Sequence, residues 1–65
     1  MQIMLNGTPT EVQADTLAAV LDELGYGDAK VATAVNESFV PAAMRGETAL
    51  APGDRIEIVA PRQGG

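Results

Sequence analysis

The chain has 65 residues with no cysteine and no histidine, and its 9 acidic against 4 basic residues give a net charge of −5. This length predicts a single small domain, and the missing side chains exclude disulfides, thiolate metal sites and a histidine general base. The few basic residues are scattered, which argues against binding to nucleic acid, and no apolar run reaches the length of a membrane span. Since no secretory signal is recognisable either, we expect a cytoplasmic protein.

The N-terminal segment predicts a β-hairpin. Apolar residues alternate with others, as in a half-buried strand, up to the turn signal Asn6-Gly7. Residues 8–13 then return as a second strand, and Pro9 places that strand at a sheet edge. The first-strand residues that we expect to face the core are Met1, Ile3 and Leu5.

The clearest element is a helix that begins near Asp15-Thr16, where either side chain is suited to cap it. Its apolar residues recur at the helical period and share one face, whereas Asp22 and Glu23 face solvent. Gly25 suits the left-handed conformation in which helices commonly end. The residues of the apolar face are Leu17, Val20, Leu21 and Leu24.

The second half of the chain predicts three more strands. They span residues 31–35, Phe39-Val40 and residues 55–60, with turn signals at residues 36–38 and 51–54. Residues 42–50 have no clear periodicity, and Arg45-Gly46-Glu47 is typical of a surface turn. In the last strand Ile56 and Ile58 face inward.

One helix and four or five strands predict an α+β domain. Because a single helix cannot shield its apolar stripe alone, it must pack across one face of the sheet. We therefore expect a roll of strands around the helix over residues 1–60, followed by a flexible tail over residues 61–65.

The tail ends in Gly64-Gly65, which suits a chemical role for the terminal carboxylate. A segment of this length reaches at most about 18 Å, enough to enter a partner's active site while the domain stays outside. Glycines have no Cβ and can pass through a narrow channel. Joining the Gly65 carboxylate to AMP would create a leaving group for a sulfur or amine nucleophile. From the dipeptide alone, a frayed chain end is the alternative.

The domain itself shows no constellation for catalysis. Its carboxylates lie mostly at turns and caps, as Asp54 does after Pro52-Gly53. Gly25-Tyr26-Gly27 lacks the later glycine and the preceding strand of a dinucleotide-binding loop. We expect that the chain is not an enzyme and binds neither a metal nor a cofactor.

The whole sequence resembles the ThiS-type sulfur carriers, which belong with MoaD-type carriers to the ubiquitin-like β-grasp group. The order and length of the matching segments carry the resemblance, since no single segment is specific. These segments are residues 1–7, 16–24, 31–36, 40–41 and 50–59 and Gly64-Gly65. The resemblance implies a β-grasp roll in which a mixed sheet of four to five strands packs on one helix.

The resemblance also implies a role in making the thiazole moiety of thiamine. A ThiF-like adenylyltransferase would use ATP to adenylate the Gly65 carboxylate, and sulfur from a cysteine desulfurase would convert it to a thiocarboxylate. A ThiG-like thiazole synthase would receive this sulfur. Gln63 and Gly64 would thread the tail into the partner sites, and the carrier itself would bind no cofactor.

Docking of these partners requires a surface on the domain. We expect Met4, Glu57 and Val59 to emerge on the sheet face opposite the helix and to form such a patch. One departure from the family concerns Glu37, because a glycine often follows the asparagine at this turn. It alters the turn and leaves the terminus untouched.

The sequence leaves other functions open. A MoaD-type carrier for molybdopterin synthesis, or a carrier for another pathway, uses the same terminal chemistry, although the molybdopterin carriers are usually longer. A passive β-grasp interaction module would keep its binding without Gly65. A ubiquitin-like modifier would instead form conjugates of higher mass.

Overall fold

The computed structural model describes residues 1–27 and 29–60. Within them, the chain forms strands β1 (Gln2–Leu5), β2 (Thr8–Glu11), β3 (Ala32–Val35), β4 (Ser38–Val40) and β5 (Arg55–Val59), helix α1 (Leu17–Glu23) and a 3₁₀ helix (Ala42–Glu47). The predicted tail, residues 61–65, lies outside the described residues.

The strands form one mixed sheet in the order β2-β1-β5-β3-β4. The antiparallel hairpins β1–β2 and β3–β4 lie on either side of β5, which runs parallel to β1 and antiparallel to β3. The helix follows the first hairpin in the chain and covers one face of the sheet. This arrangement confirms the predicted α+β roll and gives its sheet five strands.

The side chains that were expected to face inward pack between sheet and helix, and Val12, Val40 and Leu50 join them in the core. Its buried members are Ile3, Val12, Leu17, Val20, Leu21, Val40, Leu50, Ile56 and Ile58. Met1, Leu5 and Leu24 are partly buried and pack against this cluster. Each fully buried aliphatic side chain of this kind contributes roughly 1.5–3 kcal/mol, so the predicted aliphatic core accounts for most of the packing energy.

Local hydrogen bonds close both ends of α1. The hydroxyl of Thr16 accepts from the backbone N–H of Ala19 at 3.2 Å and caps the N-terminus. At the other end, Gly25 adopts a φ of +91°, and the N–H of Tyr26 donates to the carbonyl of Leu21 at 2.7 Å. This 6→1 bond is the Schellman closure that the glycine predicts.

Glu23 is exposed as expected, yet its carboxylate has backbone partners. The N–H of Gln13 donates to its two oxygens at 3.0 and 2.9 Å, and the N–H of Ala14 donates at 3.0 Å. The second strand ends at Glu11, earlier than predicted. The N–H of Val12 still donates to the carbonyl of Met1, and the N–H groups of the next two residues bind the Glu23 carboxylate instead of a strand.

The surface turn predicted at Arg45-Gly46-Glu47 is wrong, since these residues end the 3₁₀ helix. The guanidinium of Arg45 donates to the hydroxyl of Thr33 on β3 at 3.1 Å and to the carbonyl of Val31, just before that strand. The Thr33 side chain is buried, and its hydroxyl donates to the carbonyl of Val40 at 2.8 Å. This polar network fastens the 3₁₀ helix to the sheet.

Candidate functional site

The tail continues from β5, the central strand of the sheet. This strand is paired with β1 on one side and with β3 on the other, and it ends at Val59. Ala60 is the last described residue, so the predicted tail residues Gln63, Gly64 and Gly65 lie outside the described residues. The sheet fixes where the tail begins, and the roles predicted for those three residues stay predictions.

A side-chain amide holds β5 close to the start of the tail. Asn6 lies in the first turn with a φ of 48°, and its Oδ1 accepts from the N–H of Ile58 at 2.9 Å. Its Nδ2 donates to the carbonyl of Ile58 at 3.1 Å. The turn at Asn6-Gly7 is confirmed, because both residues have the positive φ that a type I′ turn requires.

The second hairpin turn holds the other end of β5 in a similar way. Asn36 has a φ of 49°, and its Oδ1 accepts from the N–H of Arg55 at 3.0 Å. Its Nδ2 donates to a carboxylate oxygen of Asp54 at 3.1 Å. The following residue, Glu37, has a φ of 74° and forms a 3.6 Å ion pair with Arg55. Glu37 therefore occupies a left-handed position that favours glycine.

The three predicted docking residues lie on the sheet face opposite the helix. Strand alternation and register define this outer face, which includes Met4, Ala32, Ala34, Phe39, Arg55, Glu57 and Val59. Val59 is 60% exposed and Glu57 is also exposed, whereas Met4 is half-buried. The structure thus brings the three residues onto one surface, and their role in docking stays a prediction.

Two shallow hollows divide the outer face, and Glu57 borders both. The first, of about 150 Å³, is lined by Ala32, Thr33, Ala34, Phe39, Glu57 and Val59. The second, of about 230 Å³, is lined by Met4, Gly7, Glu37, Arg55, Ile56 and Glu57. The first hollow exists because small alanine side chains on β3 separate larger ones on the flanking strands. The face therefore offers, on either side of Glu57, one largely apolar depression and one in which apolar and charged residues are mixed.

Phe39 is a large apolar residue of the outer face for which the sequence pattern predicted no role. Its side chain is 69% exposed, more than the other large hydrophobic side chains exposed in the described part of the chain. It pairs with Ala34, which in turn pairs with Glu57, so the three side chains form a row across adjacent strands. Alternation carried the signal, because Val40 faces the core and its neighbour must face the other way.

Potential metal ligands do not converge in the described part of the chain. Within residues 1–27 and 29–60, no three acidic, histidine or cysteine side chains are placed to hold an ion. No helix among those residues is long and apolar enough to cross a membrane. The pKa of Glu23 is lowered by the N–H groups of Ala14 and Gln13, which is the structural role already described.

Residues 3–65 match the model of the ThiS family. This chain belongs to the ThiS family. The match includes both hairpin turns, the strands of the outer face and the two terminal glycines.

Individual relatives agree with the ThiS assignment. A sulfur carrier protein ThiS from Thermus thermophilus is 36% identical over 63 residues, which are 97% of this chain and 98% of that protein. A thiazole synthase from Paramagnetospirillum magneticum is 38% identical over 61 residues, although this chain spans only 19% of its length. The crystal structure of the thiamine biosynthesis protein ThiS from Geobacter metallireducens has a TM-score of 0.84 at 25% identity, with 100% of both chains covered. This likeness confirms the predicted β-grasp fold.

Proposed function

We propose that this ThiS family member is a sulfur carrier in thiamine biosynthesis and that its Gly65 carboxylate carries the sulfur. The similarity to the T. thermophilus carrier over nearly the full length of both chains carries this proposal. The family match that extends to Gly65 supports the assignment of the reactive end. The position of β5 at the centre of the sheet supports it further, since a rigid strand then presents the tail.

The proposed reaction begins when a carboxylate oxygen of Gly65 attacks the α-phosphorus of ATP bound to a ThiF-like adenylyltransferase. An acyl-adenylate forms and pyrophosphate leaves. A sulfur nucleophile equivalent to hydrosulfide then attacks the carbonyl carbon, AMP leaves, and a thiocarboxylate remains. The carrier contributes the carboxylate, while the partner holds ATP and performs the catalysis, so we assign no enzymatic activity and no cofactor to this chain.

The proposed partners follow from this chemistry. A thiazole synthase is the acceptor, and the carrier-like segment within the P. magneticum thiazole synthase supports an association of the two functions. A ThiF-like enzyme is needed because a carboxylate must be activated before sulfur can replace one of its oxygens. A cysteine desulfurase is the proposed origin of the sulfur, and the cytoplasm is the proposed compartment.

The outer face is the proposed docking surface for these partners. Phe39 and Val59 are 69% and 60% exposed and line the same hollow, and neighbouring exposed apolar side chains of this kind mark interaction sites. Val59 also lies on β5, so a partner that covers the outer face has the tail within reach. The hollows beside Glu57 fit a partner surface that offers apolar side chains and a basic residue.

A semisynthetic pair of chains tests the terminal carboxylate. One chain ends in the natural Gly65 carboxylate. The other ends in a Gly65 carboxamide, which lacks the carboxylate oxygen that would attack ATP. We expect the acid to support carrier-dependent exchange of pyrophosphate into ATP by a ThiF-like enzyme, and the amide to support none. Equal exchange with the amide would show that Gly65 is not the acceptor of AMP.

A further inference from the structure

The parallel pairing of β1 with β5 is continued by a side chain. The N–H of Asn6 donates to the carbonyl of Ile56 at 2.9 Å, as in a regular parallel ladder. The backbone then turns away at the positive φ of Asn6, so its own carbonyl is lost to the ladder. The side-chain amide supplies the next two bonds instead, since Oδ1 accepts from the N–H of Ile58 and Nδ2 donates to its carbonyl. A primary amide offers the same carbonyl and N–H as a peptide, and it extends the ladder by one residue.

We infer that Asn6 is a positioning residue for the carrier reaction, because it fixes the direction in which the tail leaves the sheet. The inference rests on the proposed function, in which the terminal carboxylate must enter a partner's site. Ile58 is only two residues from the last described residue, Ala60. On the β1 side of β5, strand pairing ends at Leu5, and among the described residues Asn6 continues the hydrogen bonding from there. On the other side, β3 pairs with β5 as far as Val59.

Loss of the Asn6 amide removes one of the two sides from which the end of β5 is held. The end of the strand can then pivot on its pairing with β3, so the chain leaves the sheet at Ala60 in more directions. Only the fraction of chains that leave the sheet in the productive direction can then dock. The apparent affinity for the partner falls in proportion to that fraction. Once the tail is seated, its geometry in the partner's site is unchanged, so kcat is preserved while KM rises.

The chain contains a matched control for this effect. Asn36 also has a positive φ and also accepts from a β5 N–H through its side-chain oxygen, but at Arg55, the first residue of the strand. Glycine tolerates the left-handed conformation at both positions. Asn6→Gly and Asn36→Gly therefore each delete a β5-binding amide without backbone strain, one near the tail and one far from it.

The test compares adenylation of the wild-type chain and both variants by a ThiF-like enzyme with Mg·ATP. Carrier concentrations are corrected for the folded fraction measured by circular dichroism. We expect Asn6→Gly to raise the KM for the carrier about tenfold or more with kcat within about twofold. Asn36→Gly should leave both constants within about twofold of the wild type. Amide hydrogen exchange should become faster at Ile58 in the first variant and at Arg55 in the second.

The possible outcomes separate this inference from the proposed function. If the wild-type chain is adenylated and the two variants have equal KM values, Asn6 has no positioning role and only the inference fails. If the wild-type chain is not adenylated, the proposed function fails and the inference falls with it. Should Asn6→Gly not fold, Asn6→Asp keeps the acceptor for the N–H of Ile58 and removes the donor to its carbonyl. A KM equal to the wild-type value in that variant would also overturn the inference.

Discussion

Both carboxylate oxygens of Glu23 accept hydrogen bonds from the peptide N–H of Gln13, at 3.0 and 2.9 Å. Because N–H donors stabilise the charged form, the pKa of Glu23 is lowered, most by Ala14 and next by Gln13. The unfolded chain therefore binds this proton more tightly than the folded protein. The contribution of Glu23 to stability is present above the unfolded pKa and is lost as the pH falls through the folded pKa.

Glu23→Gln should lower the urea midpoint at about pH 7 and should have a smaller effect at about pH 3, because the stabilisation by the charged carboxylate is lost as the pH falls through its lowered folded-state pKa. Urea unfolding across this pH range measures the difference. Glu47→Gln is the control, since Glu47 is exposed and binds no partner through its side chain among the described residues. A loss for Glu23→Gln that is equally large at both pH values would show that its charge is not responsible.

Arg45→Met should lower the free energy of unfolding by about 1–3 kcal/mol, because it removes charged donors to Thr33 and Val31. Methionine keeps the apolar stem, so the loss reports the hydrogen bonds rather than packing. Arg55→Met is the control and should lower the free energy of unfolding by only about 0–1 kcal/mol, because both side chains of its ion pair with Glu37 are exposed. Chemical denaturation gives both values, and equal small losses would contradict an anchoring role for Arg45.

Glu37→Gly should raise the free energy of unfolding by about 1 kcal/mol, because a non-glycine residue at a φ of 74° is strained. Glu37→Gln keeps the strain and removes the charge, so it isolates the small cost of losing the ion pair with Arg55. Thermal unfolding of the three chains checks the order, with the glycine variant highest. A glycine variant less stable than the glutamine variant would mean that the turn is not strained.

Phe39→Ser should raise the KM of the carrier for a ThiF-like enzyme by about fivefold or more, the effect of an interface residue that contributes above 1 kcal/mol. Its fold should be unaffected, since the side chain is 69% exposed. Met44→Ser is the matched control, because Met44 is 47% exposed but lies on the 3₁₀ helix, away from the outer face. Steady-state adenylation kinetics compare the two. Similar KM values would place the docking surface elsewhere.

Regular periodicity made much of the fold predictable. The helical spacing from Leu17 to Leu24 and the alternation around Ile3 and Ile56 each report burial on one face, which local sequence encodes directly. The prediction was wrong at Arg45-Gly46-Glu47, where a 3₁₀ helix is joined to the sheet by a guanidinium that reaches a buried hydroxyl on β3. Such a contact joins residues that are far apart in the chain and leaves no periodic trace.

The candidate site was predictable in part for the same reason. Alternation placed Glu57 and Val59 on the outer face, and the same rule applied to Val40 would have added Phe39. The bonds between Asn6 and Ile58 join residues 52 positions apart and depend on β1 lying parallel to β5, which the sequence does not state. The sulfur chemistry proposed for Gly64-Gly65 came from the resemblance of the whole sequence to the ThiS-type carriers, because the dipeptide alone left a frayed chain end as the alternative.

The most direct test of the carrier function is intact-protein mass spectrometry of the chain after incubation with ATP, a ThiF-like enzyme and a sulfur source. A sulfur carrier gains about 16 Da, because one carboxylate oxygen is replaced by sulfur, and fragmentation places this gain on Gly65. The Gly65 carboxamide should show no gain under the same conditions. An unchanged mass for the natural chain, in a reaction that loads the T. thermophilus carrier, would contradict a role in sulfur transfer.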